Sequence, residues 1–452
     1  MTATPPPSAL DRLQNGPIAS TLLRLSLPNV LAMTMSVAVG IAETYYVGQL
    51  GTTPLAAMAL VFPFAMLTGM LSAGAMGGGV SSAISRALGA SDLHRANQLA
   101  LHALLIGAVA GMVYSALLLA GGPMLYGLLG GSGAVLEEAT RYAAVLFSGA
   151  LLVWLSNTLA SVLRGTGNMR VPSLGIFATA ILQIALGGLL GLGWGPVPSL
   201  GMPGIAMGHI VATAAGVAYF AWFIWSGQSR LNLRLHALRV RREMLHDILR
   251  VGALAMISPL QSVLTVLIFT GLIARLGTVA LAGYGIGQRL EFLLIPIAFG
   301  IGVASVPMVG MAIGAGKVAR ARRVAWTAGT LSAINLGAIG LWVNLAPAQW
   351  AGLFTQDPDV LAHACRYLVI AGPAFPFFGM GLTLYFASQG SGKVLGPVLA
   401  GTLRLALVAG VGSWLLARGL GADAYFWLVA EAMVLYGVST VLLVRMTRWV
   451  RS

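Results

Sequence analysis

The sequence predicts an all-α membrane protein of twelve transmembrane helices in two pseudo-symmetric six-helix bundles, on three observations. Of its 452 residues 58% are hydrophobic and only 8% charged, with a mean hydropathy of +0.88, whereas a soluble domain carries about 25% charged residues. Apolar runs long enough to cross a bilayer, which takes about 20 residues per helix, recur along the whole chain. The chain also repeats itself. Leu50-Gly51-Thr52-Thr53-Pro54-Leu55-Ala56-Ala57 returns as Leu276-Gly277-Thr278-Val279-Ala280-Leu281-Ala282-Gly283. Gly89-Ala90, ahead of Asp92, His94 and Arg95, returns as Gly314-Ala315, ahead of Lys317, Arg320, Arg322 and Arg323. Arg164-Gly165-Thr166-Gly167 with Pro172 returns as Gln389-Gly390-Ser391-Gly392 with Pro397. The offsets are 226, 225 and 225, and a register kept over such a length marks a duplicated unit.

Residues 1–19 are Pro-rich and polar, without a charged start leading into a short apolar region and cleavage site, so they read as a cytoplasmic segment and not as a removable signal peptide. The spans then fall at roughly 20–47, 54–80, 97–121, 140–163, 171–194, 204–226, 247–274, 280–310, 324–346, 364–388, 395–417 and 423–445. Long apolar runs exclude a β-barrel, whose spans are short and alternating. Six spans per half give an N-terminal lobe at 20–227, an interlobe linker at 228–246, a C-terminal lobe at 247–446 and a tail at 447–452. An even number per half relates the lobes by an axis along the membrane normal, an arrangement that points to a transporter. The linker carries Arg239-Val240-Arg241-Arg242-Glu243, read as a solvated topology signal or as a contact with anionic headgroups of membrane lipids.

The formal charge of +14 invites a nucleic-acid reading, which the placement of the basic residues excludes. Of 26 Lys and Arg, 20 fall in the N-terminus, the even-to-odd loops and the C-terminus, while Arg141, Arg275, Arg366 and Arg418 fall on the other side. The positive-inside rule then puts both termini in the cytoplasm of a cell whose inner membrane holds the chain. Cys365 is the only cysteine, which leaves no intrachain disulfide and no cysteine metal site. No glycine cluster ends in the Gly-Lys-Ser/Thr of a phosphate-cradling loop, so no ATPase module is expected. The six histidines are scattered without ligand spacing, which speaks against a metal centre and an enzyme, and no repeated filter-like segment suggests a channel.

Pro28, Pro63, Pro259, Pro296, Pro307, Pro373 and Pro376 lie inside spans, where each removes a backbone hydrogen bond and kinks the helix. Pro28, Pro259 and Pro296 are the hinge candidates, static kinks being the alternative. Ionisable groups within spans cost a few kcal/mol even on lenient insertion scales and so need a reason to be there. Glu43 is the only formal charge between Arg24 and Arg86. Burial favours the neutral form of a carboxyl, which suits such a group to take up and release a proton or cation. Glu291, Glu431, Arg289 and Arg404 are secondary candidates. His209, within the sixth span, belongs to a side-chain type that titrates near neutral pH and would share a proton with Glu43 if the first and sixth helices pack together. Gln183, in the fifth, is a further polar candidate for the ion-coupling site. With 19 Met, 10 Trp, 15 Phe and 11 Tyr, the cavity is expected to be apolar and adaptable and attractive to organic cations, with Tyr45, Tyr46, Phe62 and Met66 as lining candidates.

Glu43-Thr44-Tyr45-Tyr46-Val47-Gly48-Gln49-Leu50-Gly51 resembles the first-helix signature of multidrug and toxic compound extrusion transporters. So do Arg86-Ala87-Leu88-Gly89-Ala90, Leu163-Arg164-Gly165-Thr166-Gly167-Asn168 with Pro172, and Leu353-Phe354-Thr355 with Asp357 ahead of Tyr367-Leu368. The resemblance spans about residues 20 to 445 and implies a monomeric secondary antiporter. It would export diverse, often cationic compounds against protons or sodium ions by alternating access between two lobes. In that family an aspartate holds the place of Glu43. An Asn and an Asp four residues on, in the fifth helix, are replaced here by Gln183 and Gly187, and a sixth-helix threonine by His209. The seventh and tenth helices lack the acids of sodium-coupled members apart from Asp247. A proton needs one titratable group where sodium prefers several fixed oxygens, so proton coupling through Glu43 is expected, with no cofactor or metal. A sodium-coupled exporter and a lipid-linked precursor flippase of the same superfamily are the alternatives.

Overall fold

The structure is a computed structural model that describes residues 13–194, 197–234 and 239–449. Arg12, Arg451, the first twelve residues of the N-terminal segment, the middle of the linker at 235–238 and the end of the tail lie outside the described residues. All regular structure among the described residues is helical. In chain order the helices are α1 (Ile18–Leu50), α2 (Thr52–Gly89) and α3 (Leu93–Leu128), then α4a (Gly133–Ser148), α4b (Ala150–Gly165), α5 (Arg170–Leu192) and α6 (Gly201–Trp225). The second half runs α7a (Arg242–Ala255), α7b (Ile257–Ala274), α8 (Thr278–Gly314) and α9 (Val318–Leu345), then α10a (Pro358–Ala371), α10b (Phe375–Ser391), α11 (Leu395–Ala417) and α12 (Ala422–Met446). Eleven described helices are long and apolar enough to cross a membrane, and the pair α4a and α4b, bent by 42°, makes a twelfth. The all-helical, two-lobed fold is therefore the one the sequence predicts.

The duplication is visible in the backbone. Gly51 and Gly277, equivalent across the repeat, open α2 and α8 with φ of 123° and 109°. Gly167 and Gly392 close α4b and α10b with φ of 83° and 74°, values an L side chain rarely adopts. The end of α2 and the end of α8 use the same pair of closing bonds, Asp92 N–H to Ala87 C=O at 2.9 Å and Lys317 N–H to Ala312 C=O at 2.8 Å. Packing repeats too. In one half α5 packs along α6, and α4b on α2 and α3; in the other α11 packs along α12, and α10b on α8 and α9.

Local chemistry explains where helices break. Pro259 has no N–H for the carbonyl four residues back, that of Ala255, and its ring would clash there. The seventh helix accordingly breaks at Met256, and the freed Ala255 carbonyl accepts from the Tyr385 hydroxyl at 3.0 Å. Pro28 and Pro296 instead lie inside helices that continue past them. In the middle of α2, Met70–Met76 winds as a π-helix, a feature common at functional sites that no residue pattern announced.

The chain forms two compact units, Met1–Val30 with Ala253–Ser452, and Leu31–Gly252. The division therefore falls inside α1 and the seventh helix, and not at the 228–246 linker. The start of α1 is held in the C-terminal unit, where Arg320 Nη2 donates to the Gly16 carbonyl at 2.7 Å and Lys317 Nζ to Asn15 Oδ1 at 2.6 Å. In the other unit α7a is held by Asp247, paired with Arg86 at 2.5 Å and Arg95 at 3.0 Å. It lies so close to α2 that a Cβ on Gly79 would sit 2.7 Å from the Gly252 nitrogen.

Candidate functional site

Within the N-terminal unit, the last three turns of α1 meet α5. Tyr46 is 5% exposed and sits in a core with Val47, Tyr142, Met202, Ile205 and Ala206. Its hydroxyl donates to the Ile184 carbonyl at 3.2 Å, and its ring makes an edge contact with Trp194 at 5.3 Å between centroids. This anchoring fixes the rotation of α1, which places Glu43 about one turn earlier on nearly the same face. Glu43 is half-buried, and its Oε1 accepts from Gln183 Nε2 at 2.7 Å. The tyrosines Tyr46 and Tyr142 lie within electrostatic reach of its carboxyl. Glu43 forms no ion pair among the described residues, where the pairs are Arg86 and Arg95 with Asp247, Arg141 with Glu138, and Arg366 with Asp423. A carboxyl held by one neutral donor has no fixed counter-charge to lock it in the ionised state.

Gly187, four residues after Gln183, lies where both α6 and α1 pack on α5. A Cβ added to Gly208 would lie 2.9 Å from the Gly187 nitrogen, and one added to Gly187 would lie 3.5 Å from the Tyr46 ring. Where the resemblance expects a second acid in the fifth helix, the structure has close helix packing and an aromatic ring. His209, next along α6, is half-buried and makes no hydrogen bond among the described residues. The structure brings Glu43 and Gln183 together and does not hydrogen-bond His209 to either.

The C-terminal unit holds a second polar group. The Tyr367 hydroxyl of α10a donates to Glu291 of α8, and Arg404 of α11 lies within electrostatic reach of the same carboxyl. Arg404 is 8% exposed; its Nη2 donates to Ser262 Oγ at 3.0 Å, and its guanidinium stacks on the Tyr436 ring at 4.8 Å. Tyr367 and Tyr142 stand 225 residues apart, so each half sets the same repeat tyrosine beside its own acid. Sequence reasoning missed both tyrosines, although the repeat offset was the signal that would have joined them. It also missed Ser262 and Tyr436, which come to Arg404 from two other helices.

The remaining predicted residues lie elsewhere. Arg289 is exposed and stacks on Phe354 at 5.2 Å. Glu431 is exposed on α12 with no hydrogen bond or ion pair among the described residues. Tyr45 and Phe62 are exposed at 63% and 51%, and Met66 is half-buried. Tyr46 belongs to the packed core of its unit and serves as an anchor for α1. Among the described residues no cluster of three or more His, Cys, Asp or Glu side chains is placed to hold a metal ion.

Comparison with known proteins gives three findings. The MatE family profile matches residues 28–189 and 254–415, once in each half. The chain is 27% identical over 413 residues to the FAD transporter of Shewanella oneidensis, covering 89% of this chain and 90% of that protein. It is 24% identical over 440 residues to the multidrug export protein MepA of Staphylococcus aureus, covering 96% and 95%. Among solved structures, the fold is similar to the crystal structure of MATE in the bent conformation, with a TM-score of 0.89, 23% identity and 97% of both chains covered.

Proposed function

This chain belongs to the MatE family, and from that membership we propose that it exports organic compounds, many of them cationic, across the inner membrane in exchange for protons, with Glu43 as the coupling acid. The observation that carries the reading is the pair Glu43 and Gln183, 2.7 Å apart in two apolar helices, with no basic side chain paired to the acid among the described residues. Similarity to multidrug export protein MepA and to the FAD transporter supports export of organic molecules over other cargo.

The amide suits a proton-exchanging partner. Gln183 offers both a donor and an acceptor. When Glu43 is ionised it accepts from Gln183 Nε2, and when it is protonated it donates to Gln183 Oε1 after rotation of the amide. Both states of the acid are therefore hydrogen-bonded, which avoids leaving a buried polar group without a partner. A basic partner would favour only the ionised state. Proton exchange at Glu43 changes the direction of the link between α1 and α5 without breaking it, and α1 is a helix whose first turns belong to the other unit.

The test is efflux of ethidium from proteoliposomes under a proton gradient alone and then a sodium gradient alone. Proton-driven efflux in the wild type, reduced about tenfold or more in Glu43→Gln with unchanged thermal unfolding, is the expected outcome. Efflux driven by sodium alone, or full activity in Glu43→Gln, would overturn the coupling assignment.

A further inference from the structure

We infer that Arg404 is a recognition group for a carboxylate or phosphate carried by the transported compound, so that zwitterionic and anionic amphiphiles are substrates as well as cations. The inference rests on the export reading above and adds a substrate class to it. Arg404 lies near the middle of the apolar helix α11 and is 92% buried, its exposure being 8%. A guanidinium stays charged in proteins and offers five N–H donors, and a buried charge without a partner costs several kcal/mol. Yet among the described residues only one contact from its donors is made, Nη2 to Ser262 Oγ at 3.0 Å. Its Nε is buried with no acceptor among the described residues, and none of the four ion pairs there includes it. Glu291 acts on it through space while accepting from Tyr367.

Stability of the bundle does not account for this charge. The position 225 residues earlier on α5 is Thr179, and the α6 position that matches Tyr436 by the helix bounds is Ala215, so the N-terminal half builds the equivalent helices without a cation or an aromatic ring there. What remains is a guanidinium held on an aromatic face by Tyr436 and oriented by Ser262, with part of its donor edge unspent. That edge is the feature that binds carboxylate or phosphate in two parallel hydrogen bonds. The face of Tyr436 fixes the plane of the fork, as stacking does for arginines generally.

The test uses two dyes that differ in one group, rhodamine 123, a cationic methyl ester, and rhodamine 110, its free acid. Binding is read by fluorescence polarisation with purified protein in phosphatidylcholine nanodiscs. A charge-assisted hydrogen bond is worth about 1.5–3 kcal/mol, so Arg404→Gln is expected to weaken rhodamine 110 about tenfold or more and rhodamine 123 less than about twofold, with Arg404→Lys intermediate. Binding of rhodamine 123 by the wild type tests the export reading on its own. An acid-to-ester ratio unmoved by Arg404→Gln, or an equal loss for both dyes, overturns the inference and leaves that reading intact. Should Arg404→Gln fail to fold, competition on the wild type decides, benzoate being expected to displace rhodamine 110 and not rhodamine 123. If phosphatidylglycerol in the nanodisc abolishes the preference for the acid, the anion at Arg404 is a lipid headgroup and the substrate assignment falls.

Discussion

Gln183 reaches Glu43 across 140 positions of sequence, and the strength of that one contact sets what the pair can do. A hydrogen bond to an ionised group contributes about 1.5–3 kcal/mol, enough to bias the acid without fixing its charge. Gln183→Leu removes the donor and leaves the carboxyl with no partner from α5. We expect proton-driven efflux to fall by about tenfold or more, because 1.4 kcal/mol corresponds to a factor of ten, while Gln183→Asn, which keeps the amide, retains part of the rate. Efflux assays on both variants at equal protein content check this, and equal rates in Gln183→Leu and wild type would remove Gln183 from the mechanism. A second residue-scale effect lies in the turn after α2. Ser91 has a φ of 61°, and its repeat partner Gly316 has a φ of 74°. Left-handed backbone costs a residue with a Cβ about 1–2 kcal/mol, and glycine loses part of that gain through its freer unfolded chain. Ser91→Gly is therefore expected to stabilise the protein by about 0.5–1 kcal/mol, seen as a higher midpoint of thermal unfolding in detergent.

At the scale of elements, α7a owes its place to a two-arginine clamp. Asp247 is about a quarter exposed, Arg86 is buried and also donates to Ser82 Oγ, and Arg95 is 40% exposed. Removing one member of a buried pair strands the other charge at about 3–5 kcal/mol, whereas an exposed pair contributes about 0–1 kcal/mol. Asp247→Ala should therefore destabilise the protein by about 2–4 kcal/mol, discounted for the partial exposure of the carboxylate. Arg95→Ala should cost less than about 1 kcal/mol. A larger fall in unfolding midpoint in detergent for Arg95→Ala than for Asp247→Ala would overturn this ranking, because it would mean that Arg95 stabilises the protein through more than its pair with Asp247. The same helix shows why some of the fold was legible from sequence and some was not. Spans declared themselves because each is one long apolar run, and the break after Ala255 could have been read from Pro259 alone. The π-helix at Met70–Met76 could not, since it depends on what packs against it, including the close approach of Met76 to Gly252. Glu43 stood out as a lone charge, but its pairing with Gln183, and the meeting of Arg404 with Ser262 and Tyr436, are contacts between helices far apart in sequence that no periodicity encodes.

For the whole molecule, the peptide passes between the two compact units at 30/31 and at 252/253, inside α1 and the seventh helix, which are equivalents under the repeat. Each unit thus contains the beginning of the other half's first helix. The starts of α1 and of the seventh helix are separated by an even number of spans, so both begin on the same side of the membrane. The charge pattern predicts which side that is. The connection after α6 holds Arg230, Arg234, Arg239, Arg241 and Arg242, while the connection between α3 and α4a, Leu129 to Ser132, holds no basic residue at all. Lys and Arg in short loops stay on the cytoplasmic face. The single cysteine makes the prediction directly measurable. In a Cys365→Ser background, Ser229→Cys should react with a membrane-impermeant maleimide in inside-out vesicles and not in intact cells, and Ser132→Cys should show the reverse. The reverse pattern at both sites would invert the chain in the membrane, moving the start of α1 and the Asp247 clamp to the outer face. Labelling of both cysteines from one side would contradict the odd number of spans between them, and with it the counting of the bent pair α4a and α4b as one crossing.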